Sequence, residues 1–257
     1  MSTPITAIRI VRYFDNWFTV LLDSTKLSHE KKVYYKLRDG AKFSIPTNRN
    51  VIGLFNEVYF GDCYDLGSIV EHEKPLTIVD VGAHIGIFTV LAARRIPDSK
   101  VYAYEPSPYN YQFLVENVKL NGLEKRVHTF SMAVAGEEQD RLLFLHPDTV
   151  GNTLYPYPES KFPAVLRHTT TLDKILETNK LERVDLLKID CEDAELEIFE
   201  STDESTFRRI TRISIEMRSN HVTELLKLLR TQGYQATSRV ADIKRKLVYV
   251  YAQADRL

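Results

Sequence analysis

From Pro75 onward the chain alternates two textures. Short runs that are apolar nearly throughout, as in LTIVDVG, precede longer runs whose apolar positions recur every three or four residues. The first suits a parallel strand covered on both faces, and the second an amphipathic helix. IGIFTVLAARRI has the helical spacing and stops at Pro97. KVYAYE predicts a second strand. SPYNYQFLVENVKLNG predicts a helix with Ser107 as its cap, Pro108 in the first turn and Gly122 at its end. RVHTFSMAV reads as a third strand and RLLFL as an additional edge strand. Past a polar, Pro-rich stretch around residues 147–165 come TTTLDKILE, strand VDLLKID and helix AELEIFE, then strand RITRISIEM and helix HVTELLKLLRTQGY. YQATSRV and KLVYVYA predict a closing antiparallel pair. Such alternation predicts an α/β sheet with parallel crossovers, made mixed by its last pair.

The first seventy residues read differently. Trp17, Val20, Leu21 and Leu27 follow helical spacing. KKVYYKLRDGAKFSI places two β-prone runs around Asp39-Gly40, a hairpin signal. NVIGLFNEVYF predicts a short helix or turn. Residues 1–50 carry nine Lys/Arg against four Asp/Glu, and the other 207 carry 25 against 31. Residues 1–70 are therefore expected to be an appendage, and 71–257 a Rossmann-like domain.

Length and composition narrow the class. A chain of 257 residues, 44% hydrophobic and 27% charged, suits one large folded domain with an elaborated end. A net charge of −1 gives no overall basic field for capturing nucleic acid. The apolar runs fall short of the roughly 20 residues that span a bilayer, and MSTPITAIRIVRYF lacks a signal-like segment. Two cysteines, Cys63 and Cys191, suit reduced thiols, so a cytoplasmic location is expected.

The most informative stretch is VDVGAHIG, which joins a buried strand to a helix. Gly82 permits a sharp turn and Gly86 a close helix start. Glu105, 25 residues after Asp80, ends the next strand, where a carboxylate can accept hydrogen bonds from ribose hydroxyls. A nucleoside-bearing cofactor is implied. The pattern is DxGxxxG, without the third glycine that a pyrophosphate site wants, and no P-loop occurs. S-adenosylmethionine (SAM), phosphate-free and cationic at sulfur, fits best. The expected cofactor shell comprises Asp80, Gly82, Ala83, His84 and Gly86, then Glu105, Pro106 and Ser107, and Ala133 near the end of the third strand.

TIVDVGAHIGIFT, YEPSPYNYQFLVENVKLNG and LLKIDCEDAELEIF together resemble the FkbM-type SAM-dependent methyltransferases, over about residues 50–235, with FNEVYFGDCY upstream and ISIEM downstream. The resemblance implies a class I methyltransferase fold, a doubly wound seven-stranded sheet with one antiparallel strand. It also implies O-methylation of a natural-product, sugar or glycolipid-like hydroxyl, and a segment with Glu57, Tyr59 and Tyr64 that covers the cofactor. His84 stands where the family usually has Asn, and Asp193 where it usually has Gly.

Methyl transfer to a hydroxyl needs in-line placement and is helped by a base. Asp190 and Glu216, at the ends of the fourth and fifth strands, point to the crevice in which such sheets bind ligands. Asp190 is the first candidate base and Glu216 the second. His221 is a third, with a helix-start role as its rival. His84 has three readings, a contact to the cofactor carboxylate, a base, or a surface or loop-packing side chain. Asp190, Glu192, Asp193 and Glu195 form an alternative Mg²⁺ site, but Glu192, Asp193 and Glu195 suit the start of a helix better, so Mg²⁺ is not favoured and no metal ligand is assigned. Cys191 reads as a small buried side chain, and Tyr155 and Tyr157 as pocket-lining or self-packed. The expected partner is a small-molecule or carbohydrate acceptor. A nucleic-acid base N-methyltransferase lacks its Pro-containing turn in Asp190-Cys191-Glu192-Asp193, and a non-catalytic SAM-binding protein remains a further alternative.

Overall fold

The computed structural model describes residues 7–25, 31–47, 51–70, 75–147, 149–156 and 162–255, so Leu27 and Tyr157 lie outside the described residues. The N-terminal part holds α1 (Ala7–Tyr13), α2 (Trp17–Ser24), the hairpin β1 (Lys32–Lys36) and β2 (Lys42–Pro46), α3 (Val51–Leu54), a π-helical turn over Phe55–Tyr59, and α4 (Gly67–Val70). Next come β3 (Thr77–Val81), α5 (Ile87–Arg95), β4 (Lys100–Tyr104), α6 (Pro108–Leu120), β5 (Val127–Phe130), β6 (Ala133–Val134), β7 (Asp140–Phe144) and β8 (Ala164–Thr170). The chain closes with α7 (Leu172–Thr178), β9 (Leu186–Ile189), α8 (Glu195–Ser201), α9 (Glu204–Phe207), β10 (Arg212–Arg218), α10 (Val222–Thr231), β11 (Tyr234–Asp242) and β12 (Leu247–Ala254).

The main sheet has seven strands in the order β11-β12-β10-β9-β3-β4-β5. Pairs β3–β4, β4–β5, β3–β9 and β9–β10 are parallel, and β12 runs antiparallel to both neighbours, β10 and β11. The seven-stranded doubly wound sheet with one antiparallel strand is therefore present as expected. All four residues of β9 are buried, which is why LLKI carries no inside–outside alternation. RLLFL forms β7, but its partner is β8 in a separate three-stranded sheet ordered β6-β8-β7. That small sheet, built partly from the stretch read as polar loop, is a feature the pattern did not predict.

Residues before the sheet share its core. Phe14, Tyr35, Phe43 and Phe55 are buried in the same cluster as Ile78, Ile85, Leu91 and Leu114. Asn117 and Asn121, one helical turn apart on α6, fasten β2. Asn117 Oδ1 accepts from Ser44 N at 2.5 Å while its Nδ2 donates to Ser44 O at 3.1 Å, and Asn121 treats Lys42 in the same way at 3.0 and 2.7 Å. Two side-chain amides thus satisfy backbone groups that a further strand would otherwise have paired. Among the described residues no helix is long and apolar enough to cross a membrane.

Candidate active site

A cavity of about 750 Å³ opens at the carboxyl ends of β3, β4, β9 and β10, where a doubly wound sheet presents its ligand crevice. Its wall includes Gly82, Ala83 and His84 from the loop after β3, Glu105 and Pro106 after β4, and Ala133 at the start of β6. Glu57, Tyr64, Asp190 and Glu216 also line it. Tyr59, Asp80, Gly86, Ser107 and His221 do not.

Each of those five has a clear position. The Tyr59 hydroxyl donates to Asp39 Oδ2 at 2.5 Å, beside a smaller depression on the far side of the N-terminal part. Asp80 is fully buried beneath the loop, accepting from Thr89 Oγ1 at 2.5 Å and pairing with Lys188 Nζ at 3.1 Å. Gly86 (φ +85°) begins α5, and a Cβ there would come within 2.7 Å of Leu114. Ser107 caps α6, its hydroxyl accepting from Asn110 N at 3.4 Å. His221 is exposed in the turn before α10, because β10 runs on to Arg218 and carries the chain past the cavity rim.

The loop after β3 is held by its neighbours. Gly82 has φ +74°, and a Cβ on it would sit 1.7 Å from the Asp190 carbonyl oxygen. The missing side chain therefore makes room for the end of β9 as well as permitting the turn. His84 occupies the left-handed region at φ +52°, which Asn, the family's usual residue there, adopts more readily. Glu105 clamps two segments: Oε2 accepts from His84 N at 2.8 Å, and Oε1 from Ser107 N at 2.9 Å and Asn110 Nδ2 at 3.3 Å. Burial nonetheless pushes its carboxyl up to about 7, against the pull of the Ser107 and His84 amides. Burial, then the Lys188 charge, press the His84 imidazole down to about 3. A ring so weakly basic suits a neutral contact better than a proton acceptor.

Lys188 is the residue that sequence reasoning passed over. It lies in β9 directly opposite Asp80 in β3 and is 3% exposed. Its Nζ donates to Gly82 O at 2.8 Å and Val81 O at 3.3 Å, and stands 3.9 Å from Asp190 Oδ2. The Tyr64 ring covers it, with the centroid 5.2 Å away. One ammonium thus ties the loop after β3 to the end of β9. The signal was available: a charge inside a strand buried on both faces must have a partner.

Asp190 is anchored on one side only. Its Oδ2 accepts from the Tyr64 hydroxyl at 2.8 Å, while no hydrogen bond to Oδ1 is found among the described residues. Around it stand Glu57, Glu192 and Glu216, all with raised carboxyl pKa values. Burial is the main cause for each, and the Asp190 charge adds to it. Glu192 reaches about 8. Arg218 answers part of this charge, its Nε 2.9 Å from Asp193 Oδ1 and its Nη2 3.4 Å from Glu192 Oε2. Asp193 has φ +84°, a left-handed conformation that strains an aspartate and that glycine, the residue the resemblance puts here, adopts freely. Glu195 turns inward to accept from Cys191 N at 3.2 Å. Burial, then Glu195, hold the Cys191 thiol well above its ordinary value, which leaves it protonated and inert at neutral pH. Tyr155 bonds Glu197, under the Arg141 guanidinium, and does not line the cavity. Among the described residues no three His, Cys, Asp or Glu side chains group so as to hold a metal ion.

A nucleoside finds complementary groups here. Asn110 lines the cavity, and among the described residues its buried Oδ1 has no hydrogen-bond partner while its Nδ2 is occupied by Glu105 and Thr149 O. A buried acceptor of this kind is costly unless a ligand donates to it.

Known proteins agree with this geometry. The sequence model described as "Methyltransferase FkbM domain" matches residues 80–236. The chain is 26% identical over 220 residues to "Methyltransferase sdnD" of Sordaria araneosa, covering 74% of this chain and 84% of that one. It is 25% identical over 212 residues to "31-O-demethyl-FK506 methyltransferase FkbM" of Streptomyces tacrolimicus, covering 70% and 80% respectively. Among solved structures, a SAM-dependent methyltransferase from Agrobacterium tumefaciens superposes with a TM-score of 0.52 at 10% identity, over 90% of this chain and 72% of its own. That last likeness shows the fold. With more than half of its length matched by the family's pattern, and with that pattern's loop, second-strand carboxylate and β9 turn all bordering one cavity, the chain belongs to the FkbM family of SAM-dependent methyltransferases.

Proposed function

We propose that this protein transfers a methyl group from SAM to a hydroxyl oxygen of a small-molecule or carbohydrate acceptor, with Asp190 as the base. The observation that carries the reading is the asymmetry of Asp190: Oδ2 is held by Tyr64 and faces Lys188, while Oδ1 is left for a ligand at the cavity wall. The name of the Streptomyces tacrolimicus relative, which specifies an O-demethyl compound, supports oxygen as the atom methylated.

Gly82, Ala83, His84, Glu105, Pro106, Asn110 and Ala133 are the residues that would hold SAM, with Glu105 and Asn110 Oδ1 as acceptors for its hydroxyl or amino donors. When bound, SAM supplies an electrophilic methyl carbon on a sulfonium. The chain's own part is to orient the acceptor hydroxyl and take its proton at Asp190 Oδ1. The hydrogen bond from Tyr64 fixes the carboxylate plane. A positioned base of this kind is worth about 10²–10⁴-fold in rate.

Calorimetry with SAM, S-adenosylhomocysteine and NAD tests the cofactor assignment, and binding of NAD in place of SAM would overturn it. Labelled SAM with an acceptor library then tests the reaction. Asp190→Asn keeps the side chain's size and removes its basicity. Turnover is expected to fall by about 10²-fold or more with SAM affinity retained, and full activity would exclude Asp190 as base.

A further inference from the structure

The cavity has a second end that the cofactor shell does not use. Its lining extends across the sheet, from Pro106, Asn110 and Ala133 on the β4–β5 side to the hairpin that joins β11 and β12. That hairpin brings Arg239, Lys244, Arg245 and Lys246 to the wall. Lys244 N and Arg245 N both donate to Asp242 Oδ1, at 2.8 and 3.1 Å, and Lys246 turns the chain back at φ +56°. Three consecutive cations therefore splay from a fixed turn.

Their surroundings make them unusual. Residues 51–257 carry 31 acidic groups against 25 basic ones. Yet among the described residues no side-chain hydrogen bond or ion pair engages Lys244, Arg245 or Lys246. Arg245 is near enough to the cavity floor for its charge to oppose the burial-driven rise of the Glu57 carboxyl. Beside the turn, the Arg239 guanidinium lies over Tyr249 and Tyr251, 5.5 and 5.8 Å from their ring centroids. The cavity is thus bipolar, with carboxyls around Asp190 at its floor and, at the wall formed by the hairpin, four cations against the one carboxylate of Asp242. Carboxyls on the floor repel an anion from the reacting end, and the cations attract one to the other.

Strand spacing gives the separation. From Asp190, just past the end of β9, the hairpin lies two to three strands to the side, or about 10–15 Å at the usual inter-strand distance, and it also stands further along the strands, because Ile189 is level with Ile215 and Val250 while β10 and β12 stay paired as far as Arg218 and Leu247. We propose that the methyl acceptor is an anion, a carboxylate or phosphate ester, whose charge docks on the Lys244–Arg245–Lys246 turn while a hydroxyl at least about 10 Å away faces Asp190. The proposal rests on the methyl-transfer reading above and adds the class of acceptor to it.

The test is titration of the S-adenosylhomocysteine-loaded protein at constant ionic strength with inorganic pyrophosphate and, separately, with tricarballylate. Wild type is compared with the triple variant Lys244→Ala, Arg245→Ala, Lys246→Ala. All three residues are exposed, so the fold is expected to survive, and unchanged S-adenosylhomocysteine affinity verifies it. Saturable binding of at least one probe is expected, weakened at least tenfold in the variant, and the tighter probe tells phosphate from carboxylate recognition. A second arm offers labelled SAM with hydroxy acids and their methyl esters, where the acids are expected to be the better substrates and to lose their advantage in the variant. The proposal is overturned if neither probe binds, if the variant binds them as well as wild type, or if the esters react as well as the acids. Failure of SAM to bind wild type would instead strike the methyl-transfer reading, and direct calorimetry separates that result from the other three.

Discussion

Replacing Lys188 by methionine keeps the length of the side chain and removes its charge. The consequence falls mainly on Asp80, which is 0% exposed and would keep only the Thr89 hydroxyl as partner. An uncompensated buried charge typically costs about 3–5 kcal/mol, against a total stability on the order of 5–15 kcal/mol. For a chain of this size that corresponds to a melting temperature lower by roughly 6–20 °C. Urea and thermal unfolding of wild type, Lys188→Met, Asp80→Asn and the double variant make the measurement. The double variant removes both charges and is expected to recover more than half of the loss, so the two effects should be strongly non-additive. The pH response has a definite sign. Burial lowers the Lys188 ammonium, but Asp80 and then Asp190 raise it by more, so it titrates above its usual 10.5. Its contribution is thus complete below pH 10.5 and is lost as pH climbs through the raised value. A cost below about 1 kcal/mol in each single variant, with simple additivity in the double, would refute the pairing and with it the role of Lys188 as the tie between β3 and β9.

Other residues give sharper, smaller tests. Glu105 titrates near 7 in the folded chain, so SAM affinity is expected to rise between pH 6 and 8 as its carboxylate forms, and Glu105→Gln should flatten that profile in calorimetry. Because the folded pKa is raised, stability from the same group moves the opposite way, greatest below 4.5 and lost as pH rises towards 7. Gly82→Ala places a methyl group 1.7 Å from the Asp190 carbonyl, and a folded variant that binds SAM with wild-type affinity would show that the loop has room the structure denies it. Asp193→Gly relieves a φ of +84° and breaks a part-exposed pair with Arg218. The first effect is worth about 1–2 kcal/mol and the second at most about 1, so a melting temperature a few degrees higher is expected, and a fall would show that the ion pair dominates.

The parallel strands were legible because a sheet covered on both faces leaves unbroken apolar runs, and VDLLKID could scarcely be anything else. The β8 strand was not. Its AVLRHTT carries Arg167 and His168, lies half exposed, and gains its partner β7 only through tertiary pairing. The Gly82 loop and Glu105 were readable from spacing alone, since both belong to one strand–turn–helix unit and the strand that follows. What holds Asp190 was not readable, because Tyr64, whose hydroxyl bonds its Oδ2, lies 126 residues back and meets it only in the folded chain. Tyr59 and Tyr64 show the same limit in local form. They lie on either side of the end of a π-helical turn, where helical periodicity cannot say which ring faces Asp39 and which faces Asp190. The hairpin cations carry no signal of their own in the sequence, since only the β11–β12 pairing brings them to the cavity wall.

The place of β12 bears on how the chain is made. Of the described strands of this sheet it is the last in chain order, yet it sits inside the sheet, between β10 and β11. Until it emerges from the ribosome, β11 has no neighbour, one edge of β10 stays open, and Tyr251 cannot reach the Cys63 carbonyl, 188 residues back, that its hydroxyl bonds at 2.7 Å. At about 5–20 residues per second, roughly ten seconds or more separate synthesis of Cys63 from that of Tyr251. Throughout that interval the nascent protein offers an unfilled slot to any extended segment, its own or another chain's, which is the circumstance in which chaperone capture or strand exchange competes with folding. Deletion of β12 would therefore prolong a normally transient aggregation-prone state indefinitely, so variants that lack this strand should yield inclusion bodies rather than a soluble, trimmed sheet.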